Sequence, residues 1–356
     1  MKTLRTFFPW ILLFLAGQTT HAAEPLQRVR IASIAQFVDG KSTIGGGQAA
    51  VVEERGELAR ALRKRGIQLE WYPVPVGVGG PAFNEALANR SVDFASYGDF
   101  PAIIAKAGGI DIQMIVPAGR GTNSYLIVPA ASAAKNIADL RGKRIAIQRG
   151  RPLELAFSQL LQASGLRYSD FRILNVADKA GAAALAAGDV DAQFTGSAAF
   201  QLEDKNVGRI IWSSKGTAWK WRAELFVRRE FAERYPDITQ LVTNAFVEAA
   251  HWSSQEENRK AVIRLTARNG TPEDIIERDY AADPANAIDG WKERFSPLFD
   301  ELTAQHYRDA VAFARAQNLI RRDIDVKAWF EPRFVEKALR ELQLEDYWSP
   351  RGVAAR

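Results

Sequence analysis

The chain has 356 residues, 47% hydrophobic and 25% charged, an ordinary globular composition long enough for two lobes with separate cores. It contains no cysteine, which excludes disulfides, thiolate metal sites and the lipidated cysteine of a bacterial lipoprotein. Lys plus Arg number 47 against 42 Asp plus Glu, an excess spread along the chain, unlike the basic stripe of a nucleic-acid binder. Residues 1–23 read as a cleaved secretory signal, with Lys2 and Arg5 as its basic region, an apolar run over 9–17 and the small-residue site Thr20-His21-Ala22-Ala23. That run is well short of the roughly 20 residues that span a bilayer, so a membrane anchor is the weaker reading, and a periplasmic, unlipidated protein is expected. Removing Lys2 and Arg5 leaves 45 positive charges against 42 negative, a net charge of +3. This suits an anionic ligand without demanding one.

After the signal the pattern alternates. A strand is expected over 29–34, a glycine-rich connection over 36–48, a helix over 49–65, a strand over 69–74, a turn over 77–81 and a helix near 82–88. Residues 91–96 read as a short strand, which Tyr97-Gly98-Asp99 breaks just before a helical run from about Phe100, with Asp99 a good N-cap type and Pro101 in the first turn. Such a helix start aims unbonded N–H groups and the positive end of the dipole at whatever lies in front, so a small anion is its natural guest. Taken alone, the same tripeptide is also an ordinary strand-to-helix turn. A strand over 111–117 completes β-α-β-α-β-α-β, which argues for a parallel sheet with helices on both faces. Ligands of such open sheets bind beyond the carboxyl ends of the strands, where Gln36, Gly79 and Gly98 stand.

A polar break at 118–123 (AGRGTN) restarts the pattern: strand 124–128, helix 137–140, strand 144–148, helix 150–164, strand 172–176, helix 181–187 and strand 192–195. A second break falls at 213–221, followed by a strand at 224–227 and helices from 231 to about 342. Two α/β units joined by two crossings, with the end of the chain returning to the first unit, describe a bilobal α/β protein. The expected lobes are 24–118 with 222–356, and 119–221, with a ligand cleft between them.

The runs SVDFASYGDFPAIIAKAGG, SYLIVPAASAAKNIADLRGKRIAI and GLRYSDFRILNVADKAGAAALAAGDVDA, with VKAWFEPRFVEKAL near the end, resemble the periplasmic binding proteins of ATP-driven importers in the aliphatic sulfonate, taurine and nitrate branch. The likeness runs from about Val29 to about Leu339. It implies the type II periplasmic-binding-protein fold, capture of a small organic anion by hinge closure, and delivery to a membrane permease with a cytosolic ATPase. It also implies a monomer without cofactor or metal. The family's Ser/Thr-Gly-Asp turn is matched by Ser96-Tyr97-Gly98-Asp99, with Tyr97 in place of the hydroxyl residue, and Gln36 lies where the first-strand loop offers a polar side chain. Gly-Ser-Ser at the second-lobe helix start is matched by Gly150-Arg151-Pro152, a cation replacing a hydroxyl. Where relatives carry a Trp-Asp-Pro-Phe type segment, this chain has Thr195-Gly196-Ser197-Ala198-Ala199-Phe200. Losing the indole and the carboxylate removes a partner for an amine and argues against taurine. The insertion over 36–47 also exceeds the family's short loop.

The expected ligand contacts are therefore Gln36, Tyr97, Gly98, Asp99, Asn123, Ser124, Gly150, Arg151, Thr195, Gly196, Trp219 and Trp221. Arg151 either bonds an anion or is a solvated arginine at a helix start, where like charge is disfavoured. Arg120 reads as a hinge-surface residue, and Trp219 and Trp221 either wall the cleft or pack the hinge. Residues 35–42 (AQFVDGKS) fit a relaxed phosphate-loop pattern, but Gly45-Gly46-Gly47 interrupts the helix such a loop must open. His251 and His306, the histidines outside the signal, fall in helical patterns; with no His pair, no Cys and no Gly-x-Ser-x-Gly elbow, neither a zinc site nor a nucleophilic triad can be assembled. The reading is a binding protein for a small organic anion, an aliphatic sulfonate. A nitrate-like or carboxylate anion, an enzyme on the same fold and a periplasmic sensor are the alternatives.

Overall fold

The computed structural model describes residues 25–76, 78–217, 219–281 and 290–352, so the signal segment 1–23 lies outside the described residues. Strand β1 (Arg28–Val38) runs past its apolar centre into a hairpin with β2 (Lys41–Ile44), turning at Asp39 and Gly40 with φ of 49° and 74°. Two successive left-handed residues are the type I′ pattern that matches strand twist, and Asp-Gly is its sequence signature. The connection expected over 36–48 is thus largely strand, and Gly40-Lys41-Ser42 belongs to a hairpin, not to a phosphate loop. Helices α1 (Gly47–Arg55) and α2 (Glu57–Arg63) replace the single helix expected over 49–65, because Gly56 adopts φ 64° between them. There follow β3 (Gln68–Pro75), α3 (Gly80–Ala88), β4 (Phe94–Gly98), α4 (Asp99–Gly108) and β5 (Ile112–Pro117).

A second unit contains β6 (Tyr125–Pro129), β7 (Arg144–Ile147), α5 (Pro152–Ala163), β8 (Arg172–Asn175), α6 (Asp178–Ala187), β9 (Ala192–Thr195), α7 (Ala198–Asp204) and β10 (Gly208–Ser213). The chain returns through β11 (Ala223–Arg228) to α8 (Arg229–Arg234), α9 (Pro236–Ser254), α10 (Arg259–Ala267) and α11 (Glu273–Tyr280). It ends with α12 (Trp291–Arg294), α13 (Glu301–Ala316), α14 (Val326–Trp329) and α15 (Arg333–Leu342).

The sheets are mixed, not purely parallel as the alternating pattern suggested. In the first, β3, β1 and β4 run parallel, but β11 lies antiparallel between β4 and β5, and β2 pairs with the end of β1. The second has the order β10-β6-β9-β7-β8, with β6 antiparallel to both of its neighbours. The reason is the route of the chain. A strand re-entering the first lobe from the cleft starts where its neighbours end, as the pairing of Ala223 with Gly98 records, and must run back.

Alternation along the strands feeds a core on each face. Val29, Ile31, Phe94 and Leu225 pack against α1, α9 and α15, while Ala32, Ala95 and Phe226 pack against α3, α4 and α13. In the second lobe Ile145 and Phe194 meet Phe157 of α5, and Tyr125 and Ile127 meet Leu185 of α6 and Phe200 of α7. Ile275 of α11 joins that last group, and Arg278 pairs with Glu203 and Asp204 of α7. Helix α11 therefore bridges the lobes, with Ile276 packed beside Val262 and Ile263 of α10 and Ile275 in the second-lobe group. No described helix is long and apolar enough to cross a membrane.

Candidate functional site

The cleft lies where the carboxyl ends of both sheets face each other. On the first lobe α3 starts after Gly79, whose φ is 61°, and α4 starts after Gly98. The N-cap of α4 is thus Gly98 and not Asp99, which occupies the first helical position. On the second lobe α5 starts after Arg151 with Pro152 in its first turn. These starts meet closely. A Cβ added at Gly79 would lie 1.5 Å from Arg151 Nη1, and one added at Gly98 would lie 2.5 Å from Pro152 Cγ. At Gly98 the rigid Pro152 ring leaves room for glycine alone, and at Gly79 it is the positive φ that favours glycine, since the guanidinium end can shift. Above this contact Tyr168 of the second lobe stacks on Phe313 of α13, with ring centroids 6.3 Å apart.

Arg151 is the cation at this junction. Its guanidinium makes no hydrogen bond or ion pair among the described residues. Burial pushes its pKa down, opposed by the charge of Asp178. A half-buried guanidinium whose donors are uncommitted can bind an oxyanion through its planar fork. The neighbouring Gly150 does not supply the amide that the sequence suggested. Its N–H donates to Glu154 Oε2 at 2.6 Å, and Arg149 Nε donates to Glu154 Oε1 at 2.9 Å. Glu154 is fully buried in the first turn of α5 and takes up the amide a ligand would have used.

The other expected contacts fall into two groups. Tyr97 turns its ring into the core, stacked on Phe83 at 4.9 Å and edge-on to Phe226 at 5.3 Å, with its hydroxyl buried and unpartnered among the described residues. Burial raises its pKa, and at the turn only its main chain is available. Asp99 is also buried: its Oδ1 accepts from Phe100 N–H at 2.6 Å, and its Oδ2 from Arg222 N–H at 3.0 Å and from His306 Nε2 at 2.7 Å. Asp99 N–H donates in turn to the Arg222 carbonyl at 3.0 Å. Gln36 donates to the carbonyl of Asn269 in the loop before α11. Asn123 donates to the Asp279 carbonyl and carboxylate at 2.9 and 3.0 Å and accepts from Lys220 Nζ at 2.6 Å, while Ser124 N–H donates to Ser214 Oγ at 2.9 Å. These polar groups frame the hinge.

Thr195 and Gly196 lie at the carboxyl end of β9, Thr195 Oγ1 standing 3.4 Å from Asp178 Oδ1 and Gly196 having open space where a Cβ would be. Trp219 continues a ladder of rings: Phe194 and Trp212 are 5.8 Å apart, Trp212 and Trp219 6.4 Å. Trp221 packs on the second-lobe core and donates through Nε1 to the Asn123 carbonyl at 3.3 Å. The crossing strands pair at Thr122 and Trp221, and a Cβ at Gly121 would approach Lys220 Cβ to 2.6 Å. Arg120, expected on the hinge surface, is only 6% exposed and pairs with Asp300 and Glu293 while donating to the Ser349 carbonyl at 3.2 Å. Two cleft residues stand outside the expected contact set, Gly79 and Asp178. Gly79 is placed at a strand end but not among the contacts, and the same strand-end rule applied to β8 would have found Asp178.

A family model described as the periplasmic substrate-binding protein of a phosphonate ABC transporter matches residues 48–268. The crystal structure of the periplasmic sulfonate-binding protein SsuA from Methylobacillus flagellatus KT is 43% identical, with a TM-score of 0.84 over 93% of this chain and 99% of that one. A Bacillus subtilis (strain 168) protein named for binding aliphatic sulfonates is 25% identical over 293 residues, 82% of this chain and 84% of its own. The alkanesulfonate-binding protein SsuA from Xanthomonas axonopodis pv. citri, bound to MOPS, is 24% identical with a TM-score of 0.66, covering 87% of this chain and 100% of that one, a likeness of fold.

Proposed function

The chain belongs to the phosphonate periplasmic substrate-binding protein family of ABC transporters, and from that premise we propose that it captures a small organic anion, an aliphatic sulfonate, between its two lobes. The observation that carries this reading is Arg151, an uncommitted guanidinium set against the helix starts at Gly79 and Gly98. The names of the relatives at 43% and 25% identity support the sulfonate over other anions. Direct contacts are assigned to Arg151, to the main chain at Tyr97 and Gly98, to Thr195 and Gly196, and to Trp219 as a wall for the tail. Gln36, Asp99, Asn123, Ser124, Gly150 and Trp221 are assigned to the frame that holds these in place.

The lobes are taken as 24–118 with 222–356, and 119–221. A ligand that contacts both shifts the hinge equilibrium toward the closed form, which then docks on a membrane permease driven by a cytosolic ATPase. The mature protein is read as a monomer, freed by signal cleavage and not lipidated. It is also read as doing no chemistry on its ligand. Its two described histidines are engaged elsewhere, His251 against the ring of Tyr347 and His306 with Asp99.

A thermal-shift screen of ligand-stripped protein against alkanesulfonates of rising length, nitrate, bicarbonate and short carboxylates tests the reading. A ligand at 100 times its Kd adds about 2.7 kcal/mol, and the expected result is stabilisation by sulfonates alone. Stabilisation by nitrate or carboxylates without sulfonates would replace the ligand class, and no shift with any anion would overturn the anion reading itself.

A further inference from the structure

The helix start at Gly98 carries a contradiction for an anion site. Asp99, the first residue of α4, has a fully buried carboxylate just behind it, and a carboxylate in the first turn offsets the positive end of the helix that an anion would use. Three donors reach that carboxylate: Phe100 N–H at 2.6 Å on Oδ1, and Arg222 N–H at 3.0 Å and His306 Nε2 at 2.7 Å on Oδ2. An ionised carboxylate only accepts, so Nε2 of His306 carries a proton. The other nitrogen, Nδ1, has no hydrogen-bond partner among the described residues, and the residue is buried but not sealed, at 6% exposure. A second proton, on Nδ1, turns this neutral donor into a cation.

The surrounding charges favour that cation. Glu224 of β11 accepts from Arg222 Nε at 2.8 Å, from the Tyr307 hydroxyl at 3.2 Å and from Ala118 N–H, the donor set of a carboxylate. Burial raises its pKa, Arg222 opposes the rise, and the charge of Asp99 is felt there as well. The turn before α13 brings Asp300, paired with Arg120 of the first crossing, which also meets Glu293. Helix α14 brings the ring of Trp329 against Tyr307, and α5 reaches this core with Leu155 while its Glu154 turns to Gly150. With the Asp300–Arg120 pair set aside, two carboxylates, Asp99 and Glu224, face one guanidinium, Arg222. The cluster lacks one positive charge while His306 is neutral and is balanced once it is protonated. We propose that His306 sets the charge of the anion site through Asp99, so that the cleft holds its ligand more tightly when the imidazole carries both protons. This rests on the anion-binding reading above and adds its regulation. His306 is thus a positioning residue, acting on the ligand through Asp99. Imidazole changes charge between about pH 5 and 8, whereas a sulfonate stays a monoanion, so affinity is highest below that range and falls as pH rises through it. By reciprocity, binding the anion draws a proton onto His306. A purely structural His306, donating through Nε2 alone, would give affinity no such slope.

The test is calorimetric titration of the ligand-stripped mature chain with butane-1-sulfonate at about pH 5.5 and about pH 8, and midway in two buffers of different ionisation enthalpy. The wild type is expected to bind about three- to tenfold more tightly at the lower pH, the scale of one unit charge several ångströms away at intermediate dielectric. At the midway pH it should take up about 0.3 to 0.5 of a proton per ligand. His306→Gln keeps an N–H for Asp99 but cannot take the second proton; its affinity should be the same at both pH values, near that of the wild type at the higher one. His251→Gln, at the histidine packed on Tyr347, should keep the wild-type slope. A flat wild-type affinity, or tighter binding at the higher pH, overturns the proposal without any variant and leaves the anion reading standing. A slope that persists in His306→Gln belongs to another group and also overturns it. If His306→Gln does not fold, magnetic resonance of the imidazole that remains in His251→Gln decides. A shift toward the protonated form on adding ligand is expected, and an unmoved signal overturns the proposal. Failure of the folded wild type to bind at either pH overturns the sulfonate reading, and this regulation with it.

Discussion

Replacing Arg151 with alanine should separate binding from stability, because its guanidinium has no hydrogen-bond or ion-pair partner to lose among the described residues. In the ligand-free protein the substitution removes a half-buried, unpaired cation whose desolvation opposes its charge, so the unfolding free energy should change by no more than about 0.5 kcal/mol or should rise. With ligand bound, a hydrogen bond to a charged group is worth about 1.5–3 kcal/mol. At 1.4 kcal/mol per decade this predicts roughly 10- to 150-fold weaker binding. Arg151→Lys keeps the charge but loses the planar fork, and its Kd should fall between those of the wild type and Arg151→Ala. Titration of stripped protein with an alkanesulfonate, with melts of the same samples without ligand, measures both quantities. The reasoning is refuted if alanine changes the Kd by less than about threefold, or if it lowers the melting temperature sharply while leaving binding intact.

Other substitutions probe the frame. Gly79→Ala brings both a positive φ and a Cβ at 1.5 Å from Arg151 Nη1; it should lower stability by about 1–3 kcal/mol, seen in thermal melts, and weaken binding further by obstructing closure. Arg120→Met leaves Asp300 buried without its main counter-charge and should cost about 3–5 kcal/mol. Although burial alone would raise it, Arg120 and Thr303 hold the Asp300 pKa below the usual carboxylate range. That stability is present above the unfolded value of about 3.9 and is lost as pH falls through the lower folded value. In acid titrations followed by circular dichroism, Arg120→Met should thus unfold at higher pH than the wild type. Trp219→Phe should reduce the fluorescence change on ligand binding if Trp219 walls the cleft, and an unaltered change would remove it from the contact set.

The two-lobed plan was legible because apolar strands and helices alternate over short distances and both crossings interrupt that pattern visibly. The Asp39-Gly40 hairpin is equally open to local reading, since Asp-Gly between extended runs is a hairpin signal, although the glycines after it and the Gly40-Lys41-Ser42 run also fit a loop. Strand direction was harder. Whether β11 enters from the cleft end or the far end depends on where the second lobe sits, which no local window contains. The site divides along the same line. Arg151 stood out because a cation at a helix start conflicts with the dipole, a local conflict with a functional meaning. Asp99 looked like a cap, and nothing near it revealed its partners, Arg222 and His306, 123 and 207 residues away. The direction of the Tyr97 ring is not readable locally, because a strand buried on both faces shows no alternation from which to read it.

The reciprocal bonds between Asp99 and Arg222 have a mechanical consequence. Arg222 is the last residue before β11, so the second crossing ends on the first turn of α4, and that helix start cannot swing independently of its own sheet. In the proposed hinge closure the start of α4 therefore moves with its sheet as one rigid face. In that closure the dwell time of a ligand is set by how often the two faces part at Arg151, Pro152 and Tyr168. Substitutions at that contact should appear chiefly in the dissociation rate, whereas loosening the helix start at Asp99 should slow productive capture as well.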